Sequence, residues 1–191
     1  RIGREFICDC IVPFIAKAFS RYNKRIPVVY NTHGYDSLEA LQRMDGIVDV
    51  YLPDLKYTYS LPARRYSAAP NYFEVAKAAI DEMFRQVGPV QYDENGLLKK
   101  GVLIRHLILP GNVENSLRVL DWIGENFTPG EVLVSLMRQY TPMGGLPAPF
   151  DRRVTDEEYD AVLSWMYLNE LEGFTQEAEA ADTGFIPDFL A

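Results

Sequence analysis

The chain has 191 residues, 48% of them apolar and 24% charged, with a formal net charge of −8 and a pI near 4.8. That length favours a single domain spanning residues 1–191 with a real core, and the acidic balance argues against a nucleic-acid partner, whose phosphates require a basic surface. No run of about twenty apolar residues occurs, so nothing in the sequence reads as a membrane span.

The amino end, RIGREFICDC, carries an acid and has no long apolar stretch, so it does not read as a signal peptide. Cys8 and Cys10 are the only cysteines. Two thiols are too few for a closed zinc or iron–sulfur site, and scarce cysteine fits a reducing cytoplasm. Residues 11–22 have a helical pattern. The β-branched run Ile26–Tyr30 reads as a strand that ends in Asn31, Thr32, His33 and Gly34, followed by a helix from Asp36 to Met44 with Leu38 and Leu41 three apart.

Ile47–Leu52 reads as a second strand, with Pro53 at its carboxyl end, where a missing ladder donor does little harm. The stretch KYTYSLPARRYSAAPNY reads as a long, aromatic, basic loop. Asn71 is the expected cap of a helix whose Ala76, Ile80, Met83 and Val87 recur at helical spacing, and Gly88-Pro89 stops it. Asn95-Gly96 marks a tight turn.

GVLIRHLILPG is a nearly continuous apolar run, as a fully buried strand requires. A helix follows over residues 113–126, with Val113, Leu117, Leu120 and Ile123 on its expected inner face. EVLVSLMRQY supplies a fourth strand. After a Gly/Pro-rich loop, Thr155 and Glu158 predict a capping box at the start of a last helix. The remaining segment, 172–191, is acidic and then aromatic, a tail expected to dock through Phe185, Ile186 and Phe189.

Strands alternating with helices predict an α/β fold with a mostly parallel sheet. Ligands of such sheets lie beyond the carboxyl ends of the strands. There the four strands offer Asn31, Thr32 and His33; Asp54 and Lys56; Arg105 and His106; and Arg138, Gln139 and Tyr140. Asp54 is the single carboxylate. With the neutral oxygens of Asn31 and Thr32 it suits a hard cation, while Lys56 and Arg105 suit an anion. The set as a whole is made for a zwitterion. Plainer readings stand beside this one. Asn31-Thr32 would cap the next helix, Asp54 and Lys56 would form a self-contained ion pair, and His33 and His106 would be satisfied structural histidines. No serine or cysteine nucleophile is placed for hydrolysis, which leaves little for an unrelated α/β hydrolase or isomerase.

The pieces VVYNTHGYDSLEAL, GIVDVYLPDLKY, AIDEMFRQVG, GVLIRHLILPG, VSLMRQYTP and GFTQEAEAADTGFIPDF, in that order, resemble the radical S-adenosylmethionine proteins of the pyruvate formate-lyase-activating-enzyme type. The resemblance runs from about Pro27 to the end, while residues 1–24 match only loosely. It implies a partial (β/α) barrel, with about four parallel strands here, over residues 25–171. It also implies S-adenosylmethionine bound to a [4Fe–4S] cluster, cleaved reductively to a 5′-deoxyadenosyl radical that acts on a glycyl-radical-type protein partner. The same likeness makes Asn31 and Asp54 ligands of a monovalent cation and sets Thr32 beside them. It turns Lys56 toward the methionine carboxylate, Arg105 toward the ribose and methionine, and Gln139 and Tyr140 toward the adenosine.

The family's Cys-x-x-x-Cys-x-x-Cys loop and its Gly-Gly-Glu-like motif are absent from this sequence. The chain therefore reads as the carboxyl portion of such an enzyme, inactive alone, with Phe6, Ile7, Ile11 and Phe14 as a cover for the open sheet edge. The alternative is a non-catalytic S-adenosylmethionine-binding or scaffold protein.

Overall fold

A computed structural model describes residues 12, 14, 17–19, 27–142 and 145–176. Its elements are β1 (Val29–Thr32), α1 (Leu38–Gln42), β2 (Val50–Pro53), α2 (Ser60–Ser67), α3 (Tyr72–Val87), β3 (Gln91–Tyr92), β4 (Leu98–Leu107), α4 (Val113–Asn126), β5 (Leu133–Met137), α5 (Asp156–Leu168) and β6 (Gly173–Phe174). The sheet order is β1-β2-β4-β5-β6, parallel throughout. Short β3 pairs antiparallel with the start of β4 through the Asn95-Gly96 turn. The α/β architecture is thus as the sequence predicts.

One face of this sheet is closed. Tyr51, Leu55, Val102, Ile104, Ile108, Val134 and Leu136 are buried in one core with Ala76, Ala79, Ile80 and Met83 of α3 and Val119, Leu120 and Ile123 of α4. Full burial of each large aliphatic side chain is worth about 1.5–3 kcal/mol. Helix α3 follows its predicted period, and Gly88, with φ +67°, ends it.

The departures are local and have physical causes. In α4 the fully buried face runs through Asn115, Ser116, Val119, Leu120 and Ile123, whereas Val113 and Leu117 are only partly buried. The helix is turned because two of its polar residues serve the sheet, as described below. The basic loop contains α2, which periodicity cannot reveal because only Ala63 of its eight residues is buried; Pro62 is tolerated in the first turn. The 172–191 segment is not all tail. Gly173 and Phe174 add a fifth parallel strand, and a Cβ at position 173 would meet the Val134 carbonyl oxygen at 1.9 Å. Phe185, Ile186 and Phe189 lie outside the described residues, as do Phe6, Ile7 and Ile11. Phe14 is 75% exposed, while Val12 joins the core. The capping box at Thr155 and Glu158 forms as predicted.

Candidate functional site

Residues paired across a parallel sheet project from the same face. Thr32 pairs with Pro53, so His33 falls beside Asp54. Asp54 bridges to Arg105, Arg105 pairs with Ser135, and Ser135 with Phe174. A transverse row therefore crosses all five parallel strands on the face turned away from α3 and α4. At its centre, Arg105 Nη2 donates to Asp54 Oδ1 at 2.6 Å. Lys56 Nζ lies 3.2 Å from Asp54 Oδ2 and 3.2 Å from His33 Nδ1, and His33 Nδ1 is 3.4 Å from Asp54 Oδ2.

Asp54 is nearly buried. Burial alone would raise its pKa. The hydrogen bond from His33 and the charges of Lys56 and Arg105 outweigh that and hold the carboxyl below the usual carboxylate range. One carboxylate thus faces one ammonium and one guanidinium, leaving the cluster locally cationic. The Arg105 Nε is buried and has no hydrogen-bond partner among the described residues. An orphaned donor of that kind costs about 1–3 kcal/mol, and an anionic oxygen arriving at the cluster would relieve it.

The backbone under this cluster is pinned from the closed side. The buried Tyr72 hydroxyl lies 2.6 Å from the Asp54 carbonyl oxygen and 2.9 Å from that of His33, and it accepts from the Lys56 amide at 3.2 Å. Tyr35 stacks on the same ring. Asn115 of α4 donates to the Lys56 carbonyl at 2.9 Å and accepts from the Thr58 amide at 2.9 Å. Gly34, with φ +73°, lets the β1 turn lie against β2, since a Cβ there would meet the Asp54 carbonyl oxygen at 2.1 Å.

His106, next to Arg105, points into the core and is fully buried. Its Nδ1 donates to the Leu55 carbonyl at 2.6 Å, and its Nε2 accepts from the Ser116 hydroxyl at 2.8 Å. Burial pushes its pKa down to about 4, so the ring is neutral near pH 7. This explains the turn of α4, which must bring Asn115 and Ser116 to the sheet.

The structure therefore brings Asp54, Lys56 and Arg105 together and adds His33, which the sequence left as a structural histidine. It sets the other expected site residues apart. Asn31 is exposed and pairs with Leu52, two residues short of the cluster. Thr32 is part of β1, and its hydroxyl donates to buried Asp36, which Tyr30 also binds at 3.2 Å. Neither Asn31 nor Thr32 caps α1, because Ser37 does, accepting from the Ala40 amide at 3.2 Å. Asn71 occupies the cap position of α3, but its side chain accepts from Tyr35 instead.

Gln139 bonds Gln176 at 3.3 Å, and Tyr140 donates to the Phe150 carbonyl at 3.0 Å. Arg138 turns to Asp156 at 2.5 Å and lies over the Tyr159 ring. The cation expected at Asn31 and Asp54 finds no support in this geometry, because both Asp54 oxygens already face cationic nitrogen. Among the described residues, no group of three or more His, Cys, Asp or Glu side chains is arranged to hold a metal. No helix among them is long and apolar enough to cross a membrane.

No family model matches the chain. It is 32% identical over 154 residues to the uncharacterized protein MJ0674 of Methanocaldococcus jannaschii, a match taking in 78% of this chain and 40% of that protein. The chain thus spans about two-fifths of the length of this curated relative. Its fold is similar to the crystal structure of a domain of pyruvate-formate lyase-activating enzyme from Bacteroides vulgatus, with a TM-score of 0.61 at 10% identity, covering 90% of this chain and 92% of that one. The likeness is one of fold.

Proposed function

We propose that this chain is the S-adenosylmethionine-holding portion of a radical S-adenosylmethionine protein of the activating-enzyme type. The observation that carries the reading is the convergence of His33, Asp54, Lys56 and Arg105 at the carboxyl end of a parallel sheet, with the Arg105 Nε lacking a hydrogen-bond partner among the described residues. The motif succession and the fold likeness to a pyruvate-formate lyase-activating-enzyme domain support it.

The donor set fits S-adenosylmethionine. Lys56 and Arg105 would take its carboxylate, and Asp54 would hold both cations in place. The residues of this sequence do not fit the [4Fe–4S] cluster, which needs three thiolates beside the substrate where two cysteines exist. Any ligating cysteines would come from outside this sequence, and no radical step is assigned to the residues present. Supplied with such a cluster, the assembly would act on a glycyl-radical-type protein in the reducing cytoplasm. Without one, the same cluster would bind the ligand and do nothing further.

Calorimetry with three ligands tests the reading. S-adenosylmethionine and S-adenosylhomocysteine carry the carboxylate, and 5′-methylthioadenosine lacks it. The first two bind more tightly than the third, and Lys56→Gln removes the difference. Equal affinity for all three in the unaltered chain overturns the proposal. Anaerobic iron–sulfide reconstitution should leave this chain colourless.

A further inference from the structure

A cavity of about 550 Å³ lies beyond the carboxyl ends of β4 and β5, and none of the cluster residues lines it. Its walls include Tyr57, Tyr66, Tyr140 and Phe150, with Leu109 and the Arg65 side chain. The four rings are contiguous. Tyr57 and Tyr66 have centroids 6.4 Å apart, Tyr66 and Phe150 4.6 Å, and Tyr140 and Phe150 6.0 Å. The last two contacts are edge-to-face and Tyr57–Tyr66 is tilted at 42°; aromatic rings attract further rings by offset stacking or edge-to-face contact, so a planar aromatic guest suits these walls. The volume falls within the range of small-molecule pockets, roughly 300–1,000 Å³.

The charge is the second observation. The Arg65 guanidinium lies 5.7 Å from the Tyr66 ring centroid, and no carboxylate among the described residues pairs with it. In a chain of net charge −8, a cation that pairs with no carboxylate among the described residues, set on an aromatic wall, selects for a negative group on the guest.

We propose that this cavity is a binding site for a planar aromatic carboxylate or similarly charged ring, separate from the Asp54 cluster. The rings take the aromatic body and Arg65 takes the anion. The position of both sites at the same edge of the sheet makes this the place for an aromatic effector or co-substrate next to the zwitterion.

Saturation-transfer NMR and calorimetry on the full 191-residue chain test it with 2-naphthoate, cyclohexanecarboxylate and 2-naphthylmethylammonium. Naphthoate should bind with a Kd near about 1 mM, as expected for a ligand of that size. The saturated acid and the ammonium compound should each bind at least several-fold more weakly. Arg65→Gln, an exposed substitution, should weaken naphthoate about 2–5-fold, and Tyr66→Ala about 10-fold. Asp54→Asn should leave naphthoate binding unchanged, which separates this result from the fate of the S-adenosylmethionine reading. Equal binding of the ammonium probe, indifference to both Arg65→Gln and Tyr66→Ala, or displacement of naphthoate by S-adenosylmethionine would each overturn the proposal.

Discussion

Arg105 and His106 are neighbours on one strand, and they show how differently the two faces of this sheet are built. His106 turns into the helical layer and has both ring nitrogens satisfied, one by the Leu55 carbonyl and one by Ser116. Arg105 turns to the other face, binds Asp54, and keeps a buried Nε without a hydrogen-bond partner among the described residues. A polar group that has completed its hydrogen bonds is part of the architecture. One that has not is open to a ligand, and among the described residues the buried side-chain atom of that kind is Arg105 Nε, on the face away from the helices.

Substitutions on the two faces can break or sharpen this contrast. The largest effect is expected from Ile104→Ala on the closed face, about 3–4 kcal/mol of unfolding free energy by denaturant titration. The adjacent Leu103→Ala on the open face should cost under about 1 kcal/mol. Equal losses would mean that the open face is not open.

The pH dependence of His106 comes next. Its folded pKa, depressed to about 4, lies below the unfolded value of 6.5. The unfolded chain therefore binds more protons between these values, and stability falls as pH drops from 6.5 toward 4, by up to about 3 kcal/mol. In His106→Gln, thermal denaturation across that window should lose this slope.

Asp54→Ala leaves Lys56 and Arg105 facing each other. Because both cations are partly exposed, the expected cost is about 2 kcal/mol, below the range for a sealed pair. It should also make stability rise with added salt, which screens the remaining repulsion. Smallest is Tyr72→Phe, about 1 kcal/mol for one buried hydroxyl. Its more telling effect should be weaker S-adenosylmethionine binding in calorimetry, since that hydroxyl ties the ends of β1 and β2 that carry the cluster.

Much of this was legible beforehand. Strand and helix order follows from periodicity, and Asp54, Lys56 and Arg105 stand out as polar residues at strand tips. His33 is hard to read in advance because a lone histidine in a turn has no pattern to distinguish it. Its role depends on register, which a sequence does not display. The place of Thr32 depends on register too: Asp36, four residues on, accepts from its hydroxyl. Tyr72 carried no signal beyond being the first residue of an amphipathic helix, yet its hydroxyl meets three backbone groups from two other segments. Helix α2 escaped notice because it buries almost nothing.

Strand β4 is shared among three neighbours along its length: β3 at Leu98 and Lys100, β2 at Gly101 and Val102 with a further bridge from Asp54 to Arg105, and β5 from Leu103 to Leu107. Every other strand reaches the far side of the sheet through it. The amides of its middle should therefore be the slowest in the molecule to exchange with deuterium. They would be released only when the whole domain opens, whereas the β1–β2 side and the β5–β6 side are free to fluctuate independently of each other.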